Sequence, residues 1–114
     1  MGHMIRPQAV RHIEDAVDAS AKRAAFSEWF GLRSRESSLL YLLFQGAPHH
    51  VSATELADHF GLTMNCLGVH LQRLRSAMNA EAIDYAKGQG YRLTEVGLEE
   101  TREAMLEMAR SLVA

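Results

Sequence analysis

Asn65, Gln72 and Arg73 sit close together in FGLTMNCLGVHLQRLRSAM, Phe60 to Met78, interleaved with Leu67, Leu71 and Leu74. Each of the three carries paired hydrogen-bonding groups on one planar end: a donor beside an acceptor on the two amides, a fork of donors on the guanidinium. Side chains of this kind can grip a flat polar edge at two points at once. No acid lies in the stretch, whereas a face that merely meets water is usually rich in Glu and Lys. The choice is between a solvated helix face and a face that reads a partner, and the residue types favour the second.

Other chemistry is thinly represented. Cys66 is the single cysteine, so neither an internal disulfide nor a cysteine-based metal cage is available. Near a helix N-terminus its thiol could serve as a redox sensor. Without a partner cysteine, a small contact residue is the better reading. His49, His50 and His59 lack the His-x-x-x-His or Cys-x-x-Cys spacing of a metal core and read as an accidental surface cluster. No metal or cofactor is expected. Nor is an enzyme, since no Ser-His-Asp set, paired carboxylates or phosphate-binding loop is present.

The elements that must position the Asn65 to Arg73 face can be read from periodicity and capping. Residues 8 to 30 form an amphipathic helix with Val10, Ile13, Val17, Ala21 and Ala24 on one stripe and Phe26, Trp29 and Phe30 near its end. Gly31 ends it. Ser34 is the expected N-cap of a second helix, 35 to 45, whose Leu39, Leu40, Leu42, Leu43 and Phe44 make it central to the core. After the break at Gly46 to Pro48, His49 to Val51 can form a short strand. Ser52 and Glu55 match a capping box opening a third helix over 53 to 60.

Gly61-Leu62 makes a tight turn, and Thr63 caps a fourth helix over 64 to 78. Leu67, Leu71, Leu74 and Met78 fall on one stripe at helical spacing, so Asn65, Val69, Gln72 and Ser76 face the other way, with Gly68 and Arg73 flanking. His70 and Arg75 sit nearer the boundary. Ile83 with Tyr85, and Tyr91 with Leu93, alternate as a half-buried hairpin whose tip holds Gly88 and Gly90. Thr94 caps a last helix over 95 to 112.

The 114 residues, 47% of them hydrophobic, suit a compact unit with a modest core. Met1-Gly2-His3-Met4 reads as a cloning remnant with the native start at Met4. No run approaches the roughly 18 apolar residues of a membrane span, so a soluble, cytoplasmic protein with no membrane partner is expected. The net charge of -2 argues on its face against nucleic acid, but its distribution is uneven. Residues 63 to 92 hold four Lys or Arg against two Asp or Glu, whereas residues 93 to 114 hold two against five.

Two helices joined by a Gly-containing turn, the second polar on its outer face and followed by a Gly-tipped hairpin, form a winged helix-turn-helix. The fold class expected is mainly α with a small β-hairpin wing, carrying extra N- and C-terminal helices. Residues 33 to 94 resemble the winged-helix effector domain of OmpR/PhoB-type response regulators. The resemblance rests on Leu67-Gly68-Val69-His70-Leu71-Gln72-Arg73-Leu74-Arg75 and on Ala86-Lys87-Gly88-Gln89-Gly90-Tyr91-Arg92-Leu93. Upstream, Leu39 to Leu43 and Val51-Ser52-Ala53-Thr54-Glu55-Leu56 look like the family's Leu-rich first helix and the entry to its second.

The resemblance implies a bacterial-type transcription regulator with helix 64 to 78 in the major groove of double-stranded DNA. Asn65 and Gln72 would then pair with adenine, Arg73 with guanine, and Val69 would pack on a thymine methyl. Thr63, Cys66, His70, Arg75 and Arg92 would meet phosphates, and Lys87 and Gln89 would reach the minor groove from the wing over 83 to 93. The chain departs from the pattern at Gly68, where the family has Asp; glycine costs about 1 kcal/mol in a helix interior and would let a backbone come close. No receiver domain precedes the first Leu-rich helix, so control by phosphorylation is not implied.

The organisation expected is thus a start at 1 to 4, an N-terminal helix over 5 to 31 for dimerisation or docking, a winged helix-turn-helix over 32 to 94, and an acidic helix over 95 to 114. The terminal stripes can pack within one chain or pair between two. A homodimer is favoured because a small module on one half-site gains affinity by two-fold pairing. Its interface would draw on Val10, Ile13, Val17, Trp29, Phe30, Leu98, Met105, Met108 and Leu112. The rival from another class is a winged helix used for protein contact, an adaptor or anti-regulator binding RNA polymerase or another regulator. The negative net charge and the acidic tail support it.

Overall fold

The computed structural model describes the backbone of residues 7–113 and the side chains of residues 18–112. Met1 to Met4, and the side chains of Val10, Ile13 and Val17, lie outside the described residues. Helix α1 runs over Pro7–Phe30, opening on a proline whose missing N–H costs nothing at a first helical position. It buries Ala25 and Phe26. The Phe26 ring meets those of Phe30 and Phe44 at 6.5 and 6.0 Å.

Helix α2, Ser34–Gly46, is the centre of the core, with Leu39, Leu40 and Leu43 fully buried. Leu42 and Phe44 are only half-buried. The expected cap at Ser34 is corrected: Ser34 is already helical, and Arg33 is the N-cap in extended conformation with no side-chain cap bond. The Arg33 carbonyl accepts the first helical bond from the Ser37 amide, at 3.0 Å. Glu36 sits in this first turn, where the helix dipole favours an acid.

Helix α3, Ala53–Phe60, begins at Ser52, whose Oγ accepts from the Glu55 amide at 3.0 Å. The reciprocal bond of a full capping box does not form; the Glu55 side chain is left exposed to water. The helix ends on Gly61 at φ +63°, a left-handed conformation that glycine enters without Cβ strain. The Leu62 amide then returns to the Ala57 carbonyl at 2.9 Å, which closes the turn. Helix α4, Met64–Ala77, starts one residue later from Thr63, whose Oγ1 accepts from the Cys66 amide at 3.1 Å.

Strands β1, Ile83–Ala86, and β2, Gly90–Leu93, pair antiparallel in the register Ile83 with Leu93, Asp84 with Arg92, Tyr85 with Tyr91, and Ala86 with Gly90. Ile83 and Leu93 are buried at the base, but the same face opens toward the tip, where Tyr85 is 49% exposed. The strand expected over 49 to 51 is reduced to a single bridge between Val51 and Tyr91, with N···O distances of 2.7 and 2.9 Å. Gly90 makes this bridge possible. Its φ is +111°, and a Cβ there would lie 2.1 Å from the Val51 carbonyl oxygen.

Helix α5, Glu95–Val113, follows Thr94. The Thr94 hydroxyl accepts from the Gly97 amide at 3.2 Å and donates to the Glu81 carbonyl at 2.6 Å. Helices α1 and α5 pack on each other within the chain, and Ala25 and Ala104, both buried, line a shared groove. That packing alters the expected dimer surface. Phe30, Leu98 and Met105 pack against the chain's own core, while Trp29 and Leu112 stay 46% and 80% exposed. Among the described residues no helix is long and apolar enough to cross a membrane.

Candidate functional site

The core decides how α4 is turned. Leu67, Leu71 and Leu74 are buried to 2% exposure or less, and burying each such side chain stabilises the fold by about 2 kcal/mol. One side of α4 is thereby committed to the interior. Asn65, Cys66, Gly68, Val69, Gln72, Arg73 and Ser76 are left exposed on the other. Val69 is 47% exposed, an apolar side chain in water with no packing reason to be there.

Contacts from α2 fix the two helices of the turn. The Arg35 guanidinium donates to the Phe60 carbonyl at the end of α3, at 3.2 Å, and stands 5.4 Å from the Phe60 ring centroid. The next residue, Glu36, is 2% exposed and its Oε2 lies 2.5 Å from His70 Nδ1, where the ring N–H donates to the carboxylate. At the far end, the Asn79 amide donates to the Glu100 carboxylate on α5, at 3.0 Å. Helix α4 is thus held by its leucines and a polar contact to α2, and the segment just past its end by a contact to α5.

The residues expected to meet a nucleic-acid backbone or minor groove differ in how far the fold already engages them. Thr63 and Cys66 are exposed at the start of α4, with the Thr63 hydroxyl engaged as the cap. His70 is half-buried and turned toward Glu36 rather than free in solvent, so one ring nitrogen is committed to positioning. Arg75 is exposed, and its Nη2 donates to the Ile83 carbonyl of β1 at 3.3 Å. Arg92 pairs across the hairpin with Asp84 at 3.3 Å. Lys87 and Gln89 are exposed at the wing tip.

Glu36, Arg35 and Asp84 are the positioning residues that periodicity did not reveal. Glu36 belongs to ESSLLYLLF, where a lone acid before an apolar run reads only as a first-turn charge. Asp84 opposite Arg92 was legible in principle from the hairpin register. Tyr85, exposed and 4.8 Å from the Tyr91 ring, adds an aromatic pair to the wing. Among the described residues no three His, Cys, Asp or Glu side chains converge as metal ligands.

Between α4 and β2 lies a cleft of about 380 Å³, lined by Gly68, Leu71, Gln72, Arg75, Ser76, Ala80 and Tyr91. No acid lines it. Gly68 forms part of one wall, and a Cβ built on it would meet nothing within 4 Å.

Helix α2, the α3–α4 pair and the hairpin together make a winged helix-turn-helix, extended by α1 and α5. No protein-family model matches the chain, and neither a curated protein nor a solved structure matches it.

Proposed function

We propose that the protein is a sequence-specific transcription regulator that binds double-stranded DNA as a homodimer in the cytoplasm, with α4 in the major groove and the 83 to 93 wing on the minor groove or backbone. The observation that carries this reading is the outer face of α4: Asn65, Val69, Gln72 and Arg73, all exposed and with no acid among them. Amides and guanidinium suit the edges of adenine and guanine, and an outward Val suits a thymine methyl. The resemblance of residues 33 to 94 to OmpR/PhoB-type effector domains points the same way.

A second reading rests on α1 and α5. Trp29, Leu106 and Leu112 are 46%, 55% and 80% exposed, on or beside a helix with five acids and two bases over residues 93 to 114. That surface suits a protein partner such as RNA polymerase. A gel-shift titration of the parent, Arg73→Ala and Lys87→Ala across a salt series separates the two. DNA binding predicts affinity that falls with salt and with both substitutions; no binding by the parent, or affinity unmoved by either change, favours the protein-contact reading.

A further inference from the structure

We infer that the cleft between α4 and the wing seats one sugar-phosphate strand of duplex DNA, and that Gly68 is where this strand comes closest to the helix. The inference rests on the DNA-binding reading above and adds a site and a strand to it. Gly68 has no role that the fold requires. Its φ is not positive, and nothing lies within 4 Å of the Cβ it lacks. Glycine weakens a helix interior relative to alanine, so the chain by itself would be more stable with a methyl group here. What the missing methyl supplies is depth, exposing the helix backbone to whatever enters the cleft.

The chemistry of the cleft says what enters. Arg75 brings a guanidinium across to β1, where one N–H is used on the Ile83 carbonyl. Its other donors remain and it makes no ion pair among the described residues, although Glu81, Asp84 and Glu95 line the depression on its β1 side. Gln72, Ser76 and Tyr91 add an amide, a hydroxyl and a phenol, each able to donate. A phosphodiester is an anion that only accepts hydrogen bonds, so every polar side chain lining the cleft can serve it. A peptide backbone is as thin but brings no charge to Arg75. The cleft also adjoins Gln72, so a strand seated in it borders the face proposed to read bases.

The test uses the full chain and a fluorescein-labelled, mixed-sequence 30-base-pair duplex at low salt, read by anisotropy, with thermal unfolding measured on the same samples. Gly68→Ala is expected to raise Tm by about 4 °C while weakening duplex binding about tenfold. Gly68→Leu, also a good helix former on an exposed face, is expected to keep the Tm gain and to weaken binding about a hundredfold. A stabilised variant that binds less well supports the seat, because misfolding cannot produce both signs. Variants that gain stability and bind as well as the parent overturn the seat and leave the DNA-binding reading standing. A parent that binds no duplex overturns both, and self-association lost in Gly68→Leu would then assign the gap to a protein backbone.

Discussion

Glu36 in the first turn of α2 and His70 in the middle of α4 are joined by a 2.5 Å contact between carboxylate and imidazole Nδ1, although 34 positions separate them in the chain. The carboxylate side chain is 3% exposed and the imidazole 20%. One helix of the core therefore sets the rotation of the helix that carries the candidate site. Removing the imidazole would strand a buried acid, and breaking such a pair costs about 3 kcal/mol. His70→Ala should lower urea-unfolding stability by that amount, and Glu36→Leu with His70→Ala should recover much of it. Strictly additive single losses would show that the two side chains are not coupled.

Gly90 is required twice, by its φ of +111° and by the Val51 carbonyl 2.1 Å from where a Cβ would stand. Gly90→Ala should cost about 3 kcal/mol through strain and loss of the Val51 bridge. Gly61→Ala, with a φ of +63° but no atom within 4 Å of its Cβ position, should cost only about 1 kcal/mol. Chemical denaturation of both variants checks the ranking, and a reversed order would contradict the close approach at Gly90.

Arg73 and Lys87 are both exposed but occupy different parts of the proposed DNA interface. Arg73→Ala should cost about 1 to 3 kcal/mol on a selected duplex and relax preference at one base pair, whereas Lys87→Ala should reduce the salt slope by about one unit with little change in sequence preference. Selection from a random duplex pool, followed by salt titration, measures both. Equal effects of the two changes on preference would argue against a division between reading helix and contacting wing.

Among the described residues, Trp29 and Leu112 are the expected dimer residues that remain most exposed. A homodimer built on them should scatter light as twice the chain mass, and Trp29→Glu with Leu112→Glu should return it to the monomer with Tm changed little, since exposed positions contribute little to the fold. Duplex affinity should fall with dissociation, by the loss of the second half-site. A parent that scatters as a monomer at all concentrations would refute the dimer.

Much of the fold was legible because its signals are local. Thr63, Ser52 and Gly61 act within one helical turn, so capping and stop signals place α3 and α4 to within a residue or so. The leucine stripe of α4 similarly assigns its two faces. Ser34 shows the limit: a good N-cap residue one position past Arg33 is simply absorbed into the helix, because the backbone bond from Ser37 to Arg33 is already in place. Val51 shows another, since one residue pairs with β2 only as far as its chain runs beside Tyr91.

The sequence by itself determined the order of elements, the buried leucines and the acid-free face of α4, because helical periodicity and capping depend on residues only a few positions apart. Only the tertiary structure decided that His70 serves Glu36, that Arg75 reaches β1, and that Phe30, Leu98 and Met105 turn inward while Trp29 and Leu112 do not. Those outcomes depend on which helices meet and at what rotation, and no periodicity within a single element carries that information.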